Sequence, residues 1–396
     1  MKPSKKQLQR NIFLVYILTA LDYAWFWIAI WVLFYLRFTD YAGIGLLEAI
    51  MITTSVFAEV PTGAIADLLG KKKTMLVAFA VGSVGNILMG LAGDFTLLAL
   101  GVLVATLGGA LTSGTVEALV YDSLLSIKKE KTYEKVLGNM SSIRMATLGF
   151  VALIGGFLYS LNPGLPFIGV GLAKLVAIGV GLLLVEPPID SETFSWSVYK
   201  NQTVQGFKQF FAVGYRKQHI AVLLLTALVV MNGHVFIDAQ LVDLGWNEKQ
   251  LGVIATVMYG ISALVGQLAP WISKKFGTVT AHLFSALYIA GTMLVVPLLG
   301  PVVATVFIIS RNNTIEIFGN TASMIVNAHT ESKYRATTLS TYSMLSNIPY
   351  IFAAYGLGSL MDRWSSHTVV ATLGALLAAV VVAALFVVPR QSKSSI

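Results

Sequence analysis

The chain of 396 residues has a formal net charge of +8, yet only 12% of its residues are charged and 56% are hydrophobic. A soluble domain carries about 25% charged residues, so polar groups are too few here to cover the surface of a globule. The composition excludes an ordinary soluble protein and predicts one whose main solvent is lipid. Because the sequence contains no Cys, disulfides, thiol catalysis and Cys-ligated metals are excluded as well.

The histidines and the basic charge lead to two further exclusions. The five His residues lie apart along the chain without HxH or HxxxH spacing, so we predict no metal site, no cofactor and no hydrolytic or redox enzyme. The basic residues form short clusters between apolar runs rather than one basic face, which argues against nucleic acid as a partner. Basic clusters between apolar runs are typical instead of the loops that connect membrane helices.

Twelve apolar stretches follow one another along the chain, each long enough to cross a hydrocarbon core of about 30 Å as a helix. Basic residues cluster at alternate connections and in both tails, and by the positive-inside rule these parts, with both termini, are predicted to be cytoplasmic. We therefore predict an all-α, multi-pass integral membrane protein. The stretches are 11–37, 44–66, 74–92, 95–122, 136–160, 164–185, 219–243, 250–272, 279–299, 301–327, 336–360 and 367–388.

A long connection after the sixth stretch divides the chain nearly in half. Pro187 and Pro188 end that stretch, and aromatic residues then recur at helical spacing among Lys and Arg, the pattern of a helix on the membrane surface. The sequence predicts an N-terminal six-helix bundle at 1–186, a cytoplasmic linker with this amphipathic helix at 187–218, and a C-terminal six-helix bundle at 219–396.

The two predicted halves contain a faint repeat. The segment GAIADLLGKK after the second stretch recurs as GQLAPWISKK after the eighth, both on the predicted cytoplasmic side. A repeat in the same orientation implies two bundles related by an axis along the membrane normal. Such an arrangement favours a binding site between the bundles and allows them to rock.

The first copy of this repeat is the most specific motif of the chain. Extended by one residue to GAIADLLGKKK, it matches the pattern G-x-x-x-D-x-x-G-[RK]-[RK]-[RK], and with its twelve stretches and central linker the whole chain resembles the major facilitator superfamily. The resemblance implies two pseudo-symmetric six-helix bundles, a small-molecule substrate and a monomer. The residues of the motif are Gly63, Asp67, Gly70, Lys71, Lys72 and Lys73.

The resemblance further implies that this motif holds the cytoplasmic mouth closed, together with an acidic residue at the end of the fourth helix. Asp122 occupies that place. Physically, Gly63 permits close approach of helices, Gly70 permits a tight turn, and Asp67 can pair with Lys or cap a helix N-terminus. The alternative is a loop that serves folding and topology alone.

Ionisable residues inside the N-terminal half are candidate site residues, because a charge at the centre of a membrane helix costs about 2.5–3.5 kcal/mol. Asp22, beside Tyr23, is predicted to be a protonatable carboxylate against an aromatic wall, or else to form a static pair with Arg144 or a polar neighbour. Arg144 cannot lose its proton, and Glu117 is its favoured partner in a static salt bridge. Lys174 is predicted to extend to the membrane surface rather than to bind substrate.

The C-terminal half contains two further candidate groups. His234 and Asp238 share a helix face at a spacing of four residues, which predicts a proton relay or a gate, with a plain interfacial position for Asp238 as the alternative. Glu316 and Asn320 lie on one polar stripe that is predicted to face a cavity. Arg311 lies about 140° from Glu316 on a helical wheel, so a different partner is expected.

These expectations support three hypotheses of function. The first is a secondary active transporter of the plasma membrane that exports small amphipathic or cationic organic molecules in exchange for protons, by alternating access, with Asp22 as the proton or cation site. The second is uptake or exchange of an organic anion or nutrient bound by Arg144 and Arg311. The third is a lipid flippase or a sensor without turnover. Two departures from the superfamily argue against the first hypothesis. The fourth stretch lacks the Arg and the Gln-Gly pair of many proton-coupled members, and the fifth stretch lacks the Pro of the drug antiporters.

Overall fold

A computed structural model describes residues 3–188, 196–212, 214–331 and 334–387 of the chain. Within these ranges the chain is almost entirely helical and forms no strand. Side chains are described for most of these residues, but not for those of 59–68. The predicted all-α membrane fold is confirmed.

The first part of the chain forms helices that largely follow the predicted stretches, except that the first and fourth stretches are each broken into two. The helices are α1 (Lys5–Asp22), α2 (Trp31–Tyr35), α3 (Tyr41–Leu69), α4 (Lys71–Gly90), α5 (Phe95–Thr112), α6 (Thr115–Ser126), α7 (Tyr133–Leu161) and α8 (Leu165–Leu182).

The second part begins with a helix in the predicted linker, and its first and second membrane stretches are again broken. The elements are α9 (Trp196–Phe210), α10 (Arg216–Met231), a π-helical turn (Asn232–Phe236), α11 (Ile237–Asp243), α12 (Glu248–Val265), α13 (Ala269–Phe276), α14 (Thr278–Val295), α15 (Pro301–Ala328), α16 (Arg335–Trp364) and α17 (Ser366–Val387).

Helix starts follow local capping chemistry. Ser4 and Gln7 form a capping box at α1, in which each side chain bonds the other's backbone N–H. The Asp94 carboxylate accepts from Leu97 N at 2.8 Å and caps α5. Pro301 opens α15, where its missing N–H costs nothing. The observed starts of α5 and α15 coincide with the predicted ones, whereas α1 begins six residues before its predicted stretch.

A glycine turn with positive φ lies within the first copy of the repeat and another lies just after the second copy. Gly70 joins α3 to α4 with φ of 85°, and Gly277 joins α13 to α14 with φ of 88°. Backbone of this kind is readily adopted only by Gly, since a Cβ would clash with the neighbouring carbonyl. The two turns are not equivalent positions of the repeat, because Gly70 aligns with Ser273 and Gly277 follows the second copy.

Length and composition identify some of the described helices as candidate membrane spans. Eight helical segments of the described chain are long and apolar enough to span, and up to nine if the bent pair α12 and α13 counts as one. Helices α1, α15 and α16 are not among them, and α15 carries Arg311, Glu316 and several amides. The predicted count of twelve spans therefore stays a prediction.

The chain divides into two compact units, and two helices contribute to both. Helix α3 begins in unit 2 and continues in unit 1, whereas α12 begins in unit 1 and continues in unit 2. The bundle boundaries predicted from sequence stay a prediction. Unit 1 comprises Met1–Thr39, Ile50–Phe194 and Glu248–Tyr259, and unit 2 comprises Asp40–Ala49, Ser195–Asn247 and Gly260–Ile396.

In unit 1, α4 packs closely against α5 because small residues face each other. A Cβ on Gly85 would lie 2.2 Å from Ala105 N, and a Cβ on Gly108 would lie 2.5 Å from Gly82 N. Small residues at such contacts let helix backbones approach, which is how helices associate in lipid. Beside them a core of apolar side chains from α1, α4 and α6 includes the fully buried Val15.

In unit 2, the helix of the predicted linker packs on α16. A Cβ on Gly206 of α9 would lie 2.8 Å from Thr337 Cγ2. Phe210 at the end of α9 is fully buried and stacks on His219 at 5.1 Å between ring centroids. The aromatic residues predicted to contact lipid therefore include one that anchors α9 to its own unit.

Candidate functional site

The site begins where α1 stops. Helix α1 ends at Asp22 and regular helix resumes only at Trp31, with turn hydrogen bonds such as Ile30 N to Trp27 O at 2.9 Å between them. Room for this segment comes from Gly155 of α7, since a Cβ there would lie 1.7 Å from the Phe26 carbonyl oxygen. The interruption of the first predicted span is therefore built into the packing of unit 1.

The segment after α1 presents a run of stacked aromatic rings. Tyr23 lies 5.1 Å from Trp25, Trp25 stacks on Trp27 at 5.3 Å with 11° between planes, and Trp27 continues to Phe167 at 6.2 Å. The indole N–H of Trp27 donates to Asn86 Oδ1 at 3.2 Å. These rings offer apolar faces with a polar edge, a surface suited to planar or cationic organic groups.

Asp22 forms an ion pair that sequence reasoning missed. Its Oδ1 lies 2.5 Å from Lys174 Nζ on α8, and the two side chains are only 19% and 10% exposed. Gly82 on α4 makes room for the lysine, since a Cβ there would lie 3.0 Å from Lys174 Cδ. Lys174 therefore turns inward rather than toward the membrane surface. Asp22 pairs with it and not with Arg144.

Arg144 lies close to the same aromatic rings but without the expected partner. Its Cζ lies 5.4 Å from the centre of the Tyr23 ring, and its buried Nε has no hydrogen-bond partner in the part of the chain that the structure describes. No ion pair between Arg144 and Glu117 occurs among the described residues. The reason is a helix break: Gly114, with φ of 73°, ends the fourth stretch, and Glu117 stands exposed in the first turn of the new helix.

These groups line one cavity of about 530 Å³ within unit 1. A cavity of this size holds a small organic molecule. Asp22 and Lys174 compensate each other's charge there, and among the described residues neither Arg144 nor Glu117 of the lining has an ion-pair partner. The site can therefore receive an aromatic or amphipathic solute beside one ion pair, one guanidinium and one carboxylate.

The motif predicted to act as a gate lies at the start of α4. Lys71 pairs with Asp122 of α6, the acidic residue that the resemblance singled out. Lys73 is exposed. The surroundings of Gly63 and the side chain of Asp67 lie outside what the structure describes. Their contribution to the gate stays a prediction.

A second acidic residue, Glu186, completes this cluster. Its carboxylate accepts from the backbone N–H groups of Lys71 at 2.7 Å and Lys72 at 2.9 Å. The Lys72 ammonium in turn donates to the carbonyls of Leu182 and Leu184, each at 2.7 Å. A carboxylate thus caps the positive end of α4 while an ammonium caps the negative end of α8. The sequence signal for Glu186 was its place directly before two prolines.

In unit 2, Arg311 lies in the core rather than in a cavity. It is fully buried, and its Nη2 donates to Gln240 Oε1. Gln240 Nε2 faces His367 Nδ1 at 3.1 Å. Glu316 and Asn320 are exposed on α15. An organic solute cannot reach a guanidinium in this position without rearrangement of unit 2.

His234 lies in the π-helical turn and faces residues other than Asp238. Its Nδ1 is 3.1 Å from Glu48 Oε2 on α3, and its Nε2 is 3.4 Å from Asn347 Oδ1 on α16. The turn interrupts the regular spacing on which the predicted relay with Asp238 depended. Sequence reasoning missed Glu48, whose only signal was its position as an acidic residue inside an apolar stretch.

Comparison with known proteins is consistent with this architecture. The family model of the Major Facilitator Superfamily matches residues 12–354. An uncharacterised MFS-type transporter of Bacillus subtilis, YxaM, is 23% identical over 241 residues, or 60% of this chain and 59% of that protein. The quinolone resistance protein NorA of Staphylococcus aureus is 25% identical over 150 residues, 38% of each chain. The matched regions therefore span less than two thirds of these curated relatives.

Solved structures share the fold over nearly the whole chain. The nucleoside transporter NupG has a TM-score of 0.69 at 17% identity and covers 98% of this chain and 99% of its own. A D-xylose–proton symporter has a TM-score of 0.72 at 14% identity, covering 98% and 99%. At such low identity these similarities show the fold alone.

Proposed function

This chain belongs to the Major Facilitator Superfamily, and we propose that it is a secondary active transporter that exports small amphipathic or cationic organic molecules in exchange for protons. The proposal includes alternating access, cytoplasmic termini, a plasma-membrane location and a monomer. The observation that carries it is the aromatic cavity of unit 1, with the Asp22–Lys174 ion pair in its lining.

The ion pair supplies a way to couple charge to binding. While Asp22 is ionised, its carboxylate holds the Lys174 ammonium 2.5 Å away. A proton on Asp22 removes that attraction and leaves the ammonium uncompensated in a site with little water, which is unfavourable. Proton binding therefore drives a rearrangement of the pair, and an organic cation that reaches Asp22 competes for the same carboxylate.

The aromatic rings supply affinity without narrow selectivity. Faces of Trp25 and Trp27 can stack on planar groups or lie against a cation. Similarity to a protein named for quinolone resistance supports export of such molecules. The direction of transport and the substrate are parts of the proposal.

A second function, uptake or exchange of an organic anion, is favoured by one observation. Arg144 lies at the cavity with a buried Nε for which no described residue is a hydrogen-bond partner. A guanidinium so placed can take a carboxylate in a charge-assisted hydrogen bond. Arg311 is buried and bonded to Gln240, so this second function depends on Arg144 alone.

Transport by proteoliposomes under an imposed pH gradient separates the two functions. A lipophilic cation, an aromatic carboxylate and a neutral sugar serve as probes, with Asp22→Asn and Arg144→Gln as variants. Asp94→Asn and Arg363→Gln are matched controls outside the cavity. We expect proton-driven movement of the cation to be lost in Asp22→Asn and unchanged in both controls.

The other outcomes are equally informative. Undiminished proton-driven movement of the cation in Asp22→Asn contradicts the proposed role of Asp22. Movement of the carboxylate only, lost in Arg144→Gln, replaces the first function by the second. Movement of none of the three probes contradicts both functions.

A further inference from the structure

Two irregular helices meet in unit 2. The chain between α10 and α11 forms a π-helical turn, Asn232–Phe236, within which His234 has ψ of −106°, far from helical. Helix α16 contains Pro349 in its interior, which removes one backbone hydrogen bond from that helix. π-helical turns inside α-helices frequently occur at functional sites. Both irregularities lie beside one histidine.

The imidazole of His234 is held between two oxygen atoms. Nδ1 lies 3.1 Å from Glu48 Oε2, and the Glu48 side chain is only 9% exposed. Nε2 lies 3.4 Å from Asn347 Oδ1. The Asn347 amide is oriented by its own nitrogen, which donates to the Ser343 carbonyl at 2.8 Å. The amide oxygen, rather than the nitrogen, therefore faces the ring.

This arrangement suits only one form of the ring. An ionised carboxylate and an amide oxygen both accept hydrogen bonds, so beside an ionised Glu48 both ring nitrogens must donate, and only the imidazolium carries hydrogen on both. Tyr350 stacks on the ring with centroids 4.3 Å apart and 2° between planes, and an aromatic face attracts a cation. The Glu48 carboxylate compensates the positive charge.

We propose that His234 and Glu48 form a proton-binding site in unit 2, distinct from the Asp22–Lys174 pair of unit 1, with the imidazolium as the loaded form. The proton makes His234 a double donor between Glu48 and Asn347. Loss of that proton leaves one ring nitrogen facing an oxygen that it cannot bond. Proton binding at this site does not depend on the proposed function. Only the use of the bound proton in transport rests on that function.

The surrounding ionisable groups are mostly engaged elsewhere. Arg311 and His367 are joined through Gln240, and Asp243 accepts from the Tyr41 hydroxyl at 2.8 Å. Asp238 lies one turn further along the broken helix, and Tyr350 forms the stacking face. Asp362 of α16 accepts from the backbone at the start of α3. Glu48 is thus the carboxylate whose contact with the ring is direct.

The loaded site also holds the start of α3. Asp362 accepts from Tyr41 N at 2.9 Å and from Ala42 N at 3.0 Å. A Cβ on Gly45 would lie 2.2 Å from the Ala354 carbonyl oxygen, so α3 and α16 approach closely. The His234–Glu48 contact is the next contact along α3 that attaches this helix to its neighbours. Deprotonation should loosen this part of the helix and raise the accessibility of its side chains.

A titration of the histidines tests the site directly. Nitrogen-15 NMR of the His-labelled protein in detergent follows the protonation of all five His residues, and His234→Gln identifies the signal. We expect the His234 signal of the native protein to be that of an imidazolium with hydrogen on both ring nitrogens, and expect the ratio of this form to the neutral ring, at the same pH, to fall about tenfold in Glu48→Gln. Glu134→Gln, which alters an exposed carboxylate, should leave the His234 titration unchanged.

A second measurement keeps the proposal testable if Glu48→Gln does not fold. Because the chain has no Cys, Leu46→Cys places a single thiol on the first turns of α3, where Leu46 is 41% exposed. Its labelling should accelerate as pH rises through the His234 titration and should not depend on that titration in the His234→Gln background.

Two results would overturn the site. One is an identical His234 titration in the native protein and in Glu48→Gln. The other is labelling of Leu46→Cys with the same pH dependence whether or not His234 is present. Neither measurement needs a transported solute, so failure of this site and failure of the proposed transport function are separate results.

Discussion

Helices α1 and α10 open the two membrane-helix series of the chain, and each is interrupted beside an ionisable residue. α1 stops after 18 residues at Asp22, which pairs with Lys174. α10 stops after 16 residues and passes into the turn that contains His234, which faces Glu48. The first pair joins a carboxylate to a strong base, whereas the second contains the side chain that changes charge near neutral pH. Similar interruptions thus hold pairs of different chemistry, one at a cavity and one between helices.

The two interruptions also differ in how they are packed. The segment after α1 is fitted against Gly155, where a Cβ would lie 1.7 Å from the Phe26 carbonyl oxygen. The turn after α10 contains Gly233, around which a Cβ would meet no atom of the described residues within 4 Å. A side chain at position 155 therefore meets backbone, whereas one at position 233 has space.

The largest expected effect concerns the Asp22–Lys174 pair. Lys174→Met leaves a mostly buried carboxylate without its partner and should cost about 3–5 kcal/mol of stability. The double variant Asp22→Asn/Lys174→Met removes both charges and should recover most of that loss. Thermal unfolding of the detergent-purified variants ranks their stabilities. Lys73→Met, which alters an exposed lysine, is the control. Additive losses in the double variant would contradict a coupled pair.

The next effect contrasts the packing of the two interruptions. Gly155→Ala places a methyl group against the Phe26 carbonyl and should cost about 3 kcal/mol, the upper end of typical overpacking. Gly233→Ala has space and no positive φ, so we expect a change within about 0.5 kcal/mol. The apparent Tm of each variant is the measurement. Similar losses in both would show that the two segments are equally constrained.

The smallest effect separates the two glycine turns. Gly277→Ala forces a Cβ into backbone with positive φ, at a cost of about 1–2 kcal/mol. Gly70→Ala adds a second cost, because its Cβ would lie 3.1 Å from the Glu186 carboxyl carbon and would disturb the cap on α4. We expect Gly70→Ala to have the lower Tm, and expect the gap to narrow in a Glu186→Gln background. A gap that persists there would assign the extra cost to another contact.

Much of the architecture could be predicted because it depends on local chemistry. Apolar runs identify helices that lipid can solvate, and capping residues such as Asp94 mark their starts. The motif ending in three lysines identified the Gly70 turn and drew attention to Asp122, which pairs with Lys71. Each of these features can be recognised within one segment or by resemblance to a family.

The partners of the intramembrane charges could not be predicted in the same way. Lys174 and its partner Asp22 are 152 residues apart in the sequence. Glu48 of α3 contacts His234 in the turn after α10. Arg144 and Glu117 were expected to pair because their helices are neighbours, but the left-handed Gly114 breaks the fourth stretch three residues before Glu117, and Glu117 lies in the first turn of the new helix. Helical periodicity gives the face of a residue only while the helix is unbroken.

The sequence by itself determined that this protein is a helical membrane protein, that its two halves share a short repeated segment, and that a small number of ionisable residues lie inside apolar stretches. These properties follow from composition and short-range spacing. Only the tertiary structure decided that Asp22 and Lys174 share a cavity, that Arg311 is buried against Gln240, and that His234 lies between Glu48 and Asn347. The physical reason is that a charge in a low-dielectric interior needs a partner, and the choice among distant partners depends on where helices break and how closely they pack.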